Sequence, residues 1–235
     1  DNKEMEGHYV DGRKNGLWTW WFDSGVKESE GHYIDDEQDG LWSYFSKDGS
    51  IAEEVTFSRG KRDGRSTIWL TPEEKQEEKF YKNGKLDGPS TFWTNGYRNT
   101  MTTYKSDSPE GPWVIWFSNS DQIKEQGFHQ RGIREGLTTY YYEDGTMQRE
   151  GFFRQGLPDG LWTYWNKKAE KDFEFDFGTG LQHISLEDLV ERESIFYKLG
   201  EDIPFTGIIT QENPEADYLF LGRTKDGKKD GQWVK

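Results

Sequence analysis

The chain has no cysteine, which excludes disulfide staples and thiolate chemistry and leaves the redox compartment unread. Aliphatic residues are scarce too: 31% of the 235 residues are hydrophobic, a low share for a globular domain. No apolar run approaches the roughly 20 residues of a membrane-spanning helix. Positive charge is in deficit, with 30 Lys and Arg against 44 Asp and Glu and a formal net charge of −14. That balance opposes phosphate backbones and anionic membranes, so neither nucleic acid nor direct lipid binding is expected. A protein partner with a basic surface fits it, because complementary potentials speed and orient encounter. No secretory signal is present, and the chain opens on Asp1. The expectation is an N-terminal signal or lipid anchor missing from this sequence, and a periplasmic or cell-envelope location.

Aromatic rings are plentiful: 11 Trp, 12 Tyr and 15 Phe make up 16% of the residues. Disordered chains are poor in rings, so the thin aliphatic content does not signal disorder. It signals a thin structure whose apolar area comes from side chains that each bury about 150–250 Å².

The rings recur on a ruler. A glycine opens an aromatic strand at Gly16, Gly40, Gly64, Gly88, Gly111, Gly136 and Gly160, then at Gly207 and Gly231. The spacings are 24, 24, 24, 23, 25, 24, 47 and 24 residues. Such a period marks a solenoid, propeller or array. Asp-Gly and Asn-Gly pairs, as in Asp11-Gly12, Asn15-Gly16 and Asn83-Gly84, supply the positive φ of tight turns. Two strands and two turns fill each unit and leave no room for a crossover helix, so neighbouring strands should be antiparallel. The expected fold is an all-β, single-layer antiparallel meander of ~24-residue β-hairpins. Roughly seventeen strands at about 4.8 Å make a sheet on the order of 80 Å long.

Columns divide the rings. Five residues after the opening glycine stand Trp21, Phe45, Trp69, Trp93, Trp116, Tyr141 and Trp165. Seven before it stand Tyr9, Tyr33, Phe57, Tyr81, Tyr104, His129 and Phe153. These two regular columns are assigned to packing between repeats. The plus-two column holds Trp18, Trp42, Trp113 and Trp162, and the plus-four column Trp20, Tyr44, Tyr140 and Tyr164. Alternation puts plus two and plus four on one face and plus five on the other. With both faces aromatic, those eight rings are expected to meet a partner, since exposed apolar surface marks interaction sites. A glutamate column that includes Glu30 and Glu54 is either a solvated edge or an acidic stripe for a basic partner.

Residues 1–178 thus form seven repeat units. An insertion over 179–204 follows, either irregular or holding a helical turn or two within Ile184–Arg192 capped by Ser185, and 205–235 complete the same array. The phrases from Asp11 to Trp18 and from Asp226 to Trp233 resemble the MORN repeat, more closely its bacterial variant of about 24 residues. Leu189-Val190-Glu191-Arg192, Tyr197-Lys198 and Pro204-Phe205-Thr206-Gly207 resemble a segment embedded in such proteins. The resemblance implies an elongated, curved hairpin sheet and binding in place of catalysis. Bacterial members are described as antitoxin-like or as immunity proteins of secreted toxins, and eukaryotic members are linked to membrane lipids and scaffolding.

No catalytic, metal or cofactor site is expected. His8 and His32 occupy the same repeat position and should lie roughly 10 Å apart, too far to share a metal. Carboxylate pairs such as Glu53-Glu54 arise by number alone among 44 acids. No phosphate loop or Gly-x-Ser-x-Gly elbow occurs. The expected function is that of an immunity or antitoxin-like protein, monomeric when free, which clamps a basic toxin or effector. The alternatives are a module that stacks cell-wall glycans on its rings and a scaffold that self-associates through open sheet edges.

Overall fold

The computed structural model describes residues 3–178, 183–200, 204–213, 216–230 and 233. The chain divides into two compact units, Asp1–Ile133 with Glu143–Gly145, and Arg134–Tyr142 with Thr146–Lys235. The first carries β1 (Met5–Val10), β2 (Arg13–Trp21), β3 (Lys27–Ile34), β4 (Glu37–Phe45), β5 (Ile51–Ser58) and β6 (Lys61–Trp69). It continues with β7 (Lys75–Lys82), β8 (Lys85–Thr94), β9 (Tyr97–Lys105), β10 (Ser108–Trp116) and β11 (Ile123–Gln130). The short β12 (Ile133–Arg134) follows. The second unit holds β13 (Gly136–Tyr141), β14 (Met147–Arg154), β15 (Leu157–Trp165) and β16 (Lys171–Asp176). These strands make one sixteen-stranded, unclosed antiparallel sheet in which sequence neighbours pair, with β12 off the path beside β11. The all-β meander of hairpin units is therefore present.

The turns follow from backbone chemistry. Asp11-Gly12 and Asn83-Gly84 place both central residues at positive φ, 48° and 78°, and 51° and 83°. Two-residue hairpins of this hand match the twist of their strands. Asn15-Gly16, expected to belong to a turn, instead lies inside β2 with Gly16 at φ 74°. There β1 pairs Glu6 with Thr19 and His8 with Asn15, so Gly16, Leu17 and Trp18 bulge opposite Gly7 alone. The residue before each bulge glycine reaches the next hairpin. Asp63 accepts the backbone N–H of Asn83 at 2.9 Å, Glu110 that of Arg131 at 2.7 Å and Glu135 that of Gln155 at 2.8 Å. Much of the acidity thus ties turn to turn.

The bulge also aims the plus-two indole. Trp18, Trp42 and Trp162 lie over Gly7, Gly31 and Gly151 of the preceding strand, where an added Cβ would fall inside the ring. Their indole N–H groups donate to the carbonyls of His8 at 3.3 Å, His32 at 3.1 Å and Phe152 at 3.1 Å. These tryptophans are 2% exposed. In the first unit Tyr9 and Tyr33 meet Trp18 edge-on at 4.9 and 6.2 Å, and Trp20 sits 5.6 Å from Trp42. In the second unit Phe153 and Phe177 meet Trp162 edge-on at 5.3 and 5.9 Å, with Tyr140 and Phe175 completing the cluster. Where serine replaces the tryptophan, bulk returns on the facing strand: Val55 stands opposite Ser66 and Lys79 opposite Ser90.

The C-terminal region departs from expectation. It holds β17 (His183–Ser185), one 3-10 turn (Leu186–Asp188), β18 (Leu189–Arg192) and β19 (Ile195–Lys198). Of the helical turn or two expected within Ile184–Arg192, that one 3-10 turn is present and the rest is strand. Glu193-Ser194, at φ 52° and 64°, closes a hairpin that pairs β18 with β19. So short a segment gains more from pairing than from a helix it must first nucleate. β20 (Gly207–Asn213), β21 (Ala216–Lys225) and β22 (Lys228–Asp230) form a separate four-stranded sheet with β17, which pairs parallel to β20. β20, β21 and β22 therefore lie outside the main sheet that they were expected to complete, although Trp233 still covers Gly222 and donates to the Arg223 carbonyl at 3.0 Å. The ends of the expected insertion, 179–182 and 201–203, lie outside the described residues.

The glycine–indole contact predicts an inversion of sign. Gly31→Ala should cost about 1–3 kcal/mol in urea unfolding, and Trp42→Ala about 3–5 kcal/mol. In the Trp42→Ala background, Gly31→Ala should be neutral or stabilising, because alanine suits a strand better than glycine once the ring is gone. Equal costs of Gly31→Ala in both backgrounds would show that the ring is not what excludes the methyl group.

Candidate functional site

Alternation puts plus two and plus four on one face and plus five on the other, as expected; of the two columns assigned to packing, the minus-seven rings lie in the closed layer and the plus-five rings do not. The plus-two rings Trp18, Trp42, Trp113 and Trp162 are 2–3% exposed, so they have almost no surface to offer a partner. Tyr140 is buried as well. Trp20, Tyr44 and Tyr164 are half-buried in the same layer. The expectation that the eight plus-two and plus-four rings stand free is corrected for Trp18, Trp42, Trp113, Trp162 and Tyr140, which are buried; for Trp18, Trp42 and Trp162 the reason is that a bulge turns the indole onto a bare glycine backbone in place of solvent.

Burial raises the phenols of Tyr33, Tyr44 and Tyr164 above their ordinary value of 10.0. At Tyr164 the charge and hydrogen bond of Arg149 pull part of that back.

The other face is built from three rows. Nearest the bulge, Leu17 and Leu41 in the first unit, and Leu137, Phe152 and Leu161 in the second, project about half exposed. Next comes a row of threonine and glutamate. Thr19 faces Glu30, Glu54 faces Ser43 and Thr67, and Thr163 faces Glu150. The third row is the plus-five rings under lysine: Lys3 lies 4.7 Å from the Trp21 ring, and Lys75 5.7 and 5.5 Å from Trp69 and Trp93. The same lysines hold the glutamates. Lys27 pairs with Glu30 at 2.6 Å, Lys75 with Glu78 at 2.7 Å, and Lys3 with Glu6.

Glu30 is therefore engaged within its own strand. Glu54 is not: Ile51 stands where its lysine would be, and Glu54 has no ion-pair partner among the described residues. Glu150 is in the same position, with Met147 in the lysine's place. The exposed leucine and phenylalanine row escaped the column reading, although Leu17, Leu41, Leu137 and Leu161 repeat beside the ring positions. The glycine eleven residues before Trp18, Trp42 and Trp162 was the legible sign that those indoles are covered.

The raised phenols set an alkaline limit. Their folded pKa lies above the unfolded value, so their contribution is complete below about pH 10 and is lost as pH climbs through the folded value. Urea midpoints measured from about pH 9 to 12 should fall more steeply for the native chain than for Tyr164→Phe. Parallel curves would exclude Tyr164 as a contributor.

Three stretches, residues 14–35, 38–58 and 134–155, match the family model described as MORN repeat variant. A search of curated proteins finds no match to the chain. The matched stretches span the turn, bulge and ring strand described above, two in the first unit and one in the second. At those three places the chain is similar to the MORN repeat variant, a repeat that generally binds proteins or membranes and is generally non-enzymatic.

Proposed function

We propose that this chain is a protein-binding repeat protein that neutralises a toxin or effector with a basic surface, in the manner of an immunity protein or antitoxin. The observation that carries the reading is the asymmetry of the sheet. One face is filled by its own rings, while the other presents half-exposed Leu17, Leu41, Leu137, Phe152 and Leu161, with Glu54 and Glu150 lacking an internal cation among the described residues. Contiguous exposed apolar surface with flanking charge is the signature of an interaction face. The net charge of −14 favours a cationic partner and a fast, salt-sensitive encounter. A glycan-stacking role is less well served, because Lys75 sits over the Trp69 and Trp93 rings that a sugar would need.

The test uses the product of a neighbouring gene as the candidate effector. The native chain should bind it, protect cells that express it, and lose association rate as salt is raised. Glu54→Lys with Glu150→Lys should slow association about ten-fold, mainly in the on-rate. Absence of both binding and protection would remove the neutralising role.

A further inference from the structure

Leu137, Phe152 and Leu161 stand on three successive strands, β13, β14 and β15, and are 47%, 56% and 54% exposed. Leu137 pairs directly with Phe152, and Thr163 with Glu150, so alternation sets Leu137, Phe152 and Leu161 on one face. Their sequence neighbours Phe153 and Trp162 pack edge-on at 5.3 Å on the other face. The three form an exposed apolar strip on successive strands, in which Leu137 and Phe152 are directly opposite and Leu161 is offset, Asp159 being the direct partner of Phe152 on β15. Over β2 to β5 the matching row is broken, since His32 stands opposite Leu17 and Thr56 opposite Leu41.

We infer that this strip docks a cationic amphipathic helix of a protein partner, laid perpendicular to the strands; the inference rests on the binding reading above. Spacing selects the helix. Strands lie about 4.8 Å apart, close to the roughly 5.4 Å rise of one helical turn, so side chains at i, i+4 and i+7 meet successive strands. An extended segment presents alternate side chains every ~6.8 Å and falls out of step. Charge selects the flanks. Glu150 lies two residues from Phe152 on the same face with no ion-pair partner among the described residues, and the exposed Asp176 stands opposite Leu161. Arg154, on the other side of Phe152, is paired with Asp159 at 3.2 Å.

The probe is a fluorescent helix-forming peptide of about 15 residues, with Leu on one helical face and Lys elsewhere. Its controls are the same peptide with Ser for Leu and an alternating Leu-Lys peptide that favours extended structure. Anisotropy should show the helical peptide binding the full chain at least about ten-fold more tightly than either control. Phe152→Ser and Leu161→Ser should each weaken it about ten-fold, while Leu17→Ser leaves it unchanged. All three positions are exposed, so thermal melts should match the native chain. Equal loss at Leu17→Ser, no loss at Phe152→Ser, or a preference for the alternating peptide overturns the inference. Peptide binding in a chain that gives no protection leaves the strip standing and removes the neutralising role. Protection that survives Phe152→Ser does the reverse.

Discussion

An indole lying flat on a glycine of the preceding strand is the contact on which the rest of this sheet depends. It needs a glycine with no Cβ, a bulge that swings the tryptophan over it, and a free carbonyl one residue on to take the indole N–H. Trp42 has all three, in Gly31, the bulge at Gly40-Leu41 and the His32 carbonyl. Once the contact forms, the face that carries it is closed, and edge-on rings such as Tyr33 and Phe57 fill the gaps between indoles. A one-layer sheet thereby buries a face without a second layer. Val55 opposite Ser66 obeys the same rule with the bulk exchanged between strands.

The second constraint is at the turns. Hairpins with positive φ at both central residues leave backbone N–H groups pointing out of the ladder, and an unmade hydrogen bond there is costly. The acid before each bulge glycine supplies the acceptor, as Asp63 does for Asn83 and Glu135 for Gln155. A large part of the negative charge is thus architectural. On the open face Lys27 and Lys75 neutralise Glu30 and Glu78, which leaves Glu54 and Glu150 as the carboxylates with work still to do.

Adjacent residues in this chain have opposite fates. Phe152 and Phe153, or Leu161 and Trp162, are equally apolar by composition, yet one of each pair is covered and the other faces outward. Strand alternation separates them, and the indole lock decides which side is inside. An exposed apolar surface is left on the remaining side as a consequence of the packing.

The sequence by itself determined the repeat, its period, the all-β meander and the sharing of faces among columns. Those follow from glycine spacing, turn chemistry and the two-residue alternation of a strand, all of which are local. It did not determine which face closes. That depends on Gly31 meeting Trp42 across a hairpin and a bulge, a contact invisible until the register is known, and so Trp18 looked available when it is covered. The C-terminal strands show the same limit. Their local Gly222–Trp233 contact keeps the repeat's rule, but pairing of β17 with β20 takes them out of the main sheet. Local pattern fixes what each strand resembles; only tertiary pairing decides what lies against it, because a face is buried by the strand beside it and not by its own residues.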